Sequence, residues 1–311
     1  MKILFASSSS IALPTLTTLY EHAFLRAVLT APPAPSGRGQ VLTPNPVDDL
    51  ASRLGVMVLR PERLGSEARS MVSPLDCDLL VSFSYGRIFG PKFLSLFHLG
   101  GVNLHPSLLP RHRGPAPLVS TILSGDQRTG LTLQTLALEV DSGDILLQVE
   151  WELSPNDTTL SLSERTAWEA PALLLRALKN WEEVWSQRRP QDHQQATYSR
   201  LLQKSDGLID WNNEALKLDR QIRACVPWPG SFTFVGERRL LIWEAQLDDS
   251  APTMGECGQV LALDKMGGIR VQTGKGHLLL RTLQWEGKSR LDFRNFWNGN
   301  HVIQGKVLGK S

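Results

Sequence analysis

VNLHPSLLPRHRG, residues 102–114, runs from a short strand-like segment into a turn bounded by Pro106 and Pro110, with an amide and an imidazole at Asn103 and His105. Upstream, residues 2–6, 25–30, 55–59 and 79–84 are short apolar runs rich in β-formers. Helix-capable stretches such as 46–54 lie between them. That alternation predicts a parallel sheet with crossover helices, an α/β fold. The quoted segment then reads as a further strand with Asn103 and His105 at its carboxyl end, and LTLQTL, residues 131–136, as another strand running into EVDSGDI. Functional groups of open α/β sheets collect at the carboxyl ends of strands, so Asn103, His105 and Asp141 are expected to meet in one crevice.

Composition bounds the rest. At 311 residues, 41% hydrophobic and 21% charged, the chain has room for two domains with cores of their own, and disorder is not expected. It contains no run of about 18 apolar residues, and the apolar part of MKILFASSSSIALPTL is too short for a signal sequence, so a cytoplasmic protein is expected. Cys77, Cys225 and Cys257 are far apart and form no CxxC pair, which suggests neither a disulfide framework nor a zinc site. Where a dinucleotide fold needs GxGxxG after its first strand, this chain reads ASSSSIAL, which argues against NAD or FAD; residues 7–10 are expected to cap the first helix instead.

Residues 168–185 have helical spacing, and SQRRPQDHQQATYSR, 186–200, breaks it with polar residues and Pro190. Beyond lie a helix at 215–224 and five short strands at 231–235, 239–245, 258–263, 268–273 and 277–283, the pattern of a small all-β barrel, for which an OB-like form is expected although SH3-like barrels give the same pattern. The expected organisation is a first domain over 1–185, a linker over 186–204 and a second domain over 205–311. Residues 251–311 carry nine Lys+Arg against four Asp+Glu, an excess that suits either a nucleic-acid footprint or an ordinary solvated face.

An Asn donates to a developing oxyanion, a His donates to it or moves a proton, and a carboxylate orients the His. The three suit acyl transfer without a covalent intermediate. No GxSxG elbow is present. Each residue also has an ordinary reading: His105 as a loop histidine with one hydrogen bond, Asn103 as a turn cap, DSGD as a turn.

The pattern N-x-H-x-S-L-L-P-x-x-R-G, followed by D-x-G-D at residues 141–144, resembles the folate-dependent formyltransferases. The resemblance implies a Rossmann-like open sheet, 10-formyltetrahydrofolate as formyl donor, no metal, and Asn103, His105 and Asp141 as catalytic residues. Ser107, Leu108, Leu109 and Pro110, with Tyr85 and Gly86, are then the folate-binding residues. GRGQVLTPNPV, residues 37–47, resembles the loop by which one branch of the family reaches the acceptor end of methionyl initiator tRNA. ATYSRLLQKSDGLIDW and IRACVPWPGSFT resemble the start of that branch's tRNA-binding domain. Gly37, Arg38, Gly39 and Lys204 are accordingly expected at the tRNA, and the enzyme is expected to be a monomer that formylates the α-amine of the charged tRNA. The chain departs from the family pattern at residues 7–10, at Glu139 where Gly is usual, and at Leu201 where Lys is usual. A UDP-aminosugar N-formyltransferase and a noncatalytic RNA-binding relative are the alternatives.

Overall fold

The structure is a computed structural model that describes residues 1–37, 39–248 and 255–309. In chain order its first part contains β1 (Ile3–Ala6), α1 (Leu13–Glu21), β2 (Leu25–Leu29), β3 (Ala34–Ser36), β4 (Val41–Thr43), α2 (Pro46–Arg53), β5 (Val58–Leu59), α3 (Ser66–Val72), β6 (Leu79–Phe83), α4 (Pro91–Leu94), β7 (Gly101–His105), α5 (Pro117–Ser124), β8 (Arg128–Thr135), β9 (Ile145–Glu152), α6 (Thr159–Lys179) and α7 (Trp181–Ser186). Seven strands form one sheet in the order β5-β2-β1-β6-β7-β8-β9, and β3 pairs with β4 as a separate ribbon.

From β5 to β7 the strands are parallel, as the alternation of strands and helices requires, but β8 and β9 run antiparallel. The sheet is therefore mixed, where a parallel one was expected. Residues 136–144 join β8 to β9, and so short a loop returns the chain only as an antiparallel neighbour. Ile3, Leu4, Phe5 and Ala6 of β1 are all fully buried, which is the signature of a strand covered on both faces. On one face Leu4, Ala6, Leu29 and Leu80 pack with Ala68 and Val72 of α3 and with Phe89, Phe93 and Phe97.

The serine tract behaves differently from its expected role. Neither Ser9, before a 3-10 turn at Ser10–Ala12, nor Ala12, before α1, makes a side-chain cap. Proline stands in the first turn of α1 and removes one of the N–H groups that a cap would satisfy. Ser8 instead accepts a hydrogen bond from the Ala31 N–H at 3.0 Å and shares one with Thr30 Oγ1 at 3.1 Å, tying the loop after β1 to the end of β2. Sequence spacing also placed one helix at 168–185; the chain turns helical at Thr159, tolerates Pro171, and breaks at Asn180 between α6 and α7.

The second part contains α8 (Ala215–Ala224), β10 (Ser231–Val235), β11 (Arg238–Asp248), β12 (Val260–Asp264), β13 (Gly268–Gln272), β14 (His277–Trp285), β15 (Leu291–Asp292) and α9 (Phe293–Asn298). Its sheet is antiparallel, in the order β10-β11-β14-β13-β12, with β15 on β14. Leu218 and Ile222 of α8 and Phe296 of α9 share a core with Leu240, Ile242, Leu278, Leu280 and Leu283.

Two compact units result: one comprises Met1–Pro117, Gln127–Leu153 and Ser163–Arg200, the other Leu118–Asp126, Ser154–Leu162 and Leu201–Ser311. Residues 186–200 of the expected linker thus belong to the first unit. Arg189 exchanges two backbone hydrogen bonds with Ile145 of β9, at 2.8 and 3.0 Å.

Gly130 of β8 leaves room for the turn at residues 107–110: a Cβ there would meet the Val149 carbonyl oxygen and Leu108 Cδ2, the latter at 2.5 Å. We expect Gly130→Ala to cost about 1–3 kcal/mol of stability by overpacking, seen as a lower urea midpoint at constant slope. An unchanged midpoint would mean that Leu108 is not seated against β8.

Candidate active site

Residues two apart on a strand share a face, so Asn103 and His105 project from the same side of β7 near its carboxyl end. In register with them on β8 are Gln134 and Thr132. Past the end of β8 the chain returns through Asp141, whose φ of 53° is left-handed and unusual for a residue with a side chain. That turn brings the carboxylate back over β7. Asp141 Oδ1 accepts from Asn103 Nδ2 at 3.3 Å and from Gln134 Nε2 at 2.8 Å. Its Oδ2 accepts from the Gly114 N–H at 2.9 Å and lies 3.4 Å from His105 Nδ1. The three residues expected from sequence are therefore together.

His105 is 4% exposed, and its Nε2 lies 2.9 Å from the His112 carbonyl oxygen. Both ring nitrogens thus face acceptors, a set that only the doubly protonated ring satisfies fully. Burial nevertheless pushes the imidazole below its usual pKa of 6.5; the Asp141 charge and the His112 carbonyl oppose that shift without cancelling it. The resting ring is neutral at pH 7, which differs from a standing imidazolium. Asn103 is half-buried, and beyond its bond to Asp141 its second N–H makes no hydrogen bond among the described residues.

The turn after His105 is held from inside. Ser107 is fully buried; its N–H donates to the His105 carbonyl at 2.8 Å and its hydroxyl to the Arg111 carbonyl at 2.7 Å. Thr132 Oγ1 donates to the Ser107 carbonyl at 2.6 Å and accepts from the Leu109 N–H at 3.2 Å, and Gln148 Nε2 donates to the Leu109 carbonyl at 3.0 Å. Of the backbone N–H groups in residues 107–110, that of Leu108 alone makes no hydrogen bond among the described residues, and Pro110 has none to offer. Tyr85 and Gly86 follow β6, the parallel neighbour of β7. Tyr85 is buried against Phe89, with ring centroids 5.4 Å apart, and its hydroxyl makes no hydrogen bond of ordinary geometry among the described residues, although the Arg87 guanidinium is near enough to act on it. Gly86 has φ +78°, and a Cβ there would meet nothing within 4 Å.

Gly37 and Gly39 are exposed at the tip of the β3–β4 ribbon; Arg38 lies outside the described residues. Lys204 is exposed at the start of a 3-10 turn, Lys204–Gly207. Sequence reasoning missed Gln134, Gln148 and Gln191. Gln134 was visible as a polar residue among the apolar positions of LTLQTL, whereas Gln191 sits among so many polar neighbours that nothing singles it out. No group of three or more metal-ligating side chains occurs among the described residues.

Residues 1–178 match the family model described as formyl transferase, and residues 201–301 match that of the formyl transferase C-terminal domain. The chain is 43% identical over 313 residues to the methionyl-tRNA formyltransferase of Treponema denticola, an alignment covering 96% of this chain and 97% of that protein. Among solved structures, it is similar to the N-formyltransferase from Helicobacter canadensis in complex with folinic acid and dTDP-3-aminofucose, with a TM-score of 0.64 and 15% identity over 94% of this chain and 100% of that one. It is also similar to HypX from Aquifex aeolicus in complex with tetrahydrofolic acid, with a TM-score of 0.62 and 18% identity over 97% of this chain; it spans 47% of that protein's length. At such identities these likenesses are of fold.

The Asp141 charge raises the His105 pKa against burial, so removing it in Asp141→Asn should leave the neutral ring still harder to protonate. NMR of the labelled histidine should show its titration moving to lower pH in the variant. A midpoint that stays put or rises would mean that the two groups are not electrostatically paired.

Proposed function

The chain belongs to the formyl transferase family, and from that premise we propose that it transfers the formyl group of 10-formyltetrahydrofolate to the α-amine of methionyl initiator tRNA. The convergence of Asn103, His105 and Asp141 at the end of β7 carries the reading. Similarity to a tRNA-acting relative over both units favours this acceptor over an aminosugar, for which the likeness is one of fold at 15% identity.

When bound, the formyl-folate supplies an electrophilic carbonyl carbon to the neutral amine. Asn103 directs its second N–H at the oxygen on which negative charge develops, a donor worth about 3 kcal/mol in the transition state. His105 and Asp141 take the proton that the amine releases, directly or through water, at the Asp141 carboxylate, since both ring nitrogens already face acceptors, and hold it between them until it passes to the folate nitrogen whose bond to the formyl carbon breaks. As the ring gains it, Nδ1–H donates to Asp141 and Nε2–H to the His112 carbonyl, two acceptors already in place. Burial keeps that charge from appearing before it is needed. Tyr85, with a buried hydroxyl that makes no hydrogen bond of ordinary geometry among the described residues and lies near Arg87, fits a ligand as rich in ring nitrogens and carbonyls as a folate; Gly86 and residues 107–110 complete the proposed folate site. Arg38, flanked by Gly37 and Gly39, takes the end of the tRNA, since a guanidinium bridges phosphates and stacks on bases. Lys204 and the basic residues 251–311 supply charge for its backbone. In this reading the enzyme acts as a cytoplasmic monomer. No described helix is long and apolar enough to cross a membrane.

Formyl transfer should be seen with charged initiator tRNA and not with dTDP- or UDP-aminosugars; the reverse preference would sink the assignment. Asn103→Ala and His105→Ala should each lower kcat about a hundredfold or more by removing a group that acts in the transition state, with tRNA binding in a filter assay retained. Near-normal turnover in either variant would remove that residue from the chemistry.

A further inference from the structure

Beside the three site residues lies a polar cluster that the chemistry above does not use. Arg113 is 1% exposed, and its guanidinium meets no carboxylate among the described residues: Nε and Nη2 donate to Gln191 Oε1 at 3.1 and 2.9 Å, while His193 Nδ1 and the Tyr198 hydroxyl lie at 3.3 Å. Two donors on one oxygen determine which way the Gln191 amide is turned. Its Nε2 must then face the other way, where it meets the Gly143 carbonyl at 2.7 Å, the Asp141 carbonyl at 2.9 Å and Gln134 Oε1 at 3.2 Å. The orientation passes on: Gln134, accepting at Oε1, presents Nε2 to the Asp141 carboxylate at 2.8 Å.

Those carbonyls belong to a strained turn. A left-handed backbone at a residue such as Asp141 is strained and persists only where its surroundings hold it. The segment carrying Gln191 is itself anchored on both sides, by the Arg189–Ile145 backbone pair and by Arg113 N–H to the Thr197 carbonyl at 2.8 Å, with Ser199 N–H returning to the Arg113 carbonyl at 2.7 Å. Gln191 touches none of the three site residues' functional groups, yet it grips the backbone that aims one of them.

We propose that Gln191, oriented by Arg113, is a positioning residue for formyl transfer: it holds the Asp141 turn so that the carboxylate reaches His105 and Asn103 together. The inference rests on the assignment of His105 and Asp141 to the reaction. Asp141 and His112 are the ionisable groups that bear on His105, Asp141 favouring and His112 opposing its charged form, while Arg113 is turned toward Gln191, His193 and Tyr198.

Gln191→Met keeps the length of the side chain and removes its donors and acceptor. A catalytic group displaced by about 1 Å can cost up to about a hundredfold in rate, so kcat in this variant should fall between about ten- and a hundredfold, with KM for folate and for charged tRNA within about twofold of wild type. NMR of the labelled histidine should show the His105 titration moving to lower pH as Asp141 loosens. Gln191→Glu keeps an oxygen for Arg113 but sets its other oxygen against the Asp141 and Gly143 carbonyls; its kcat should fall too. Wild-type kcat in either folded variant overturns the proposal. A variant that lowers only the melting temperature, with kcat and the His105 midpoint unmoved, overturns it as well and makes Gln191 a structural clamp. Should Gln191→Met fail to fold, the Glu variant decides. Wild-type protein inactive on charged tRNA would instead refute the functional reading, and the His105 titration would still report on the turn.

Discussion

The site depends on a carboxylate held by three donors over a buried imidazole. Asp141 accepts from Asn103, Gln134 and the Gly114 N–H, and each comes from a different piece of chain: β7, β8 and the turn after Pro110. Together those bonds pin two strands and a loop to one another at the proposed site of formyl transfer. The left-handed backbone at Asp141 is what allows one side chain to reach all three. Hydrogen bonding, backbone strain and the geometry of the proposed site are thus the same feature viewed at three levels.

Burial gives that arrangement its chemical character. In water an imidazole beside a carboxylate gains a proton more readily; within this site the lost hydration outweighs the attraction, and His105 rests neutral with acceptors facing both nitrogens. A ring so placed is ready to take charge without rearrangement, since its partners are fixed before the proton arrives. The fully buried Ser107 and Thr132, locked by bonds of 2.6–2.8 Å, keep solvent and slack out of the neighbouring turn.

The antiparallel pair β8 and β9 explains why a mixed sheet serves here. Reversal at β8 places Gln134 and Thr132 opposite Asn103 and His105, and the short return to β9 sets Asp141 above them. Residues 188–199 then close that edge, Arg189 pairing with Ile145 and Gln191 gripping the turn. A stretch that looks like a polar tether is therefore part of the wall of the site.

Much of this could be read from residues alone. Strands β1, β2, β6 and β7 and β10–β14 of the second unit's six described strands announced themselves by apolar runs or alternation between turn residues, because a strand's burial pattern is written locally. Asn103, His105 and Asp141 were legible because their motif and their places at strand ends are properties of the chain order. The direction of β8, the existence of β9, the task of residues 7–10 and the packing of 186–200 were not, since each depends on which partner a polar group finds in space. Ser8 could cap a helix or tie down a strand, and only the proximity of Ala31 and Thr30 chose. Gln191 looks like any surface glutamine until Arg113 meets it from one side and the Asp141 turn from the other. Chain order determined which groups this protein possesses for its chemistry. Tertiary structure decided their protonation and aim, because desolvation and hydrogen-bond partnership belong to the folded surroundings and not to any residue by itself.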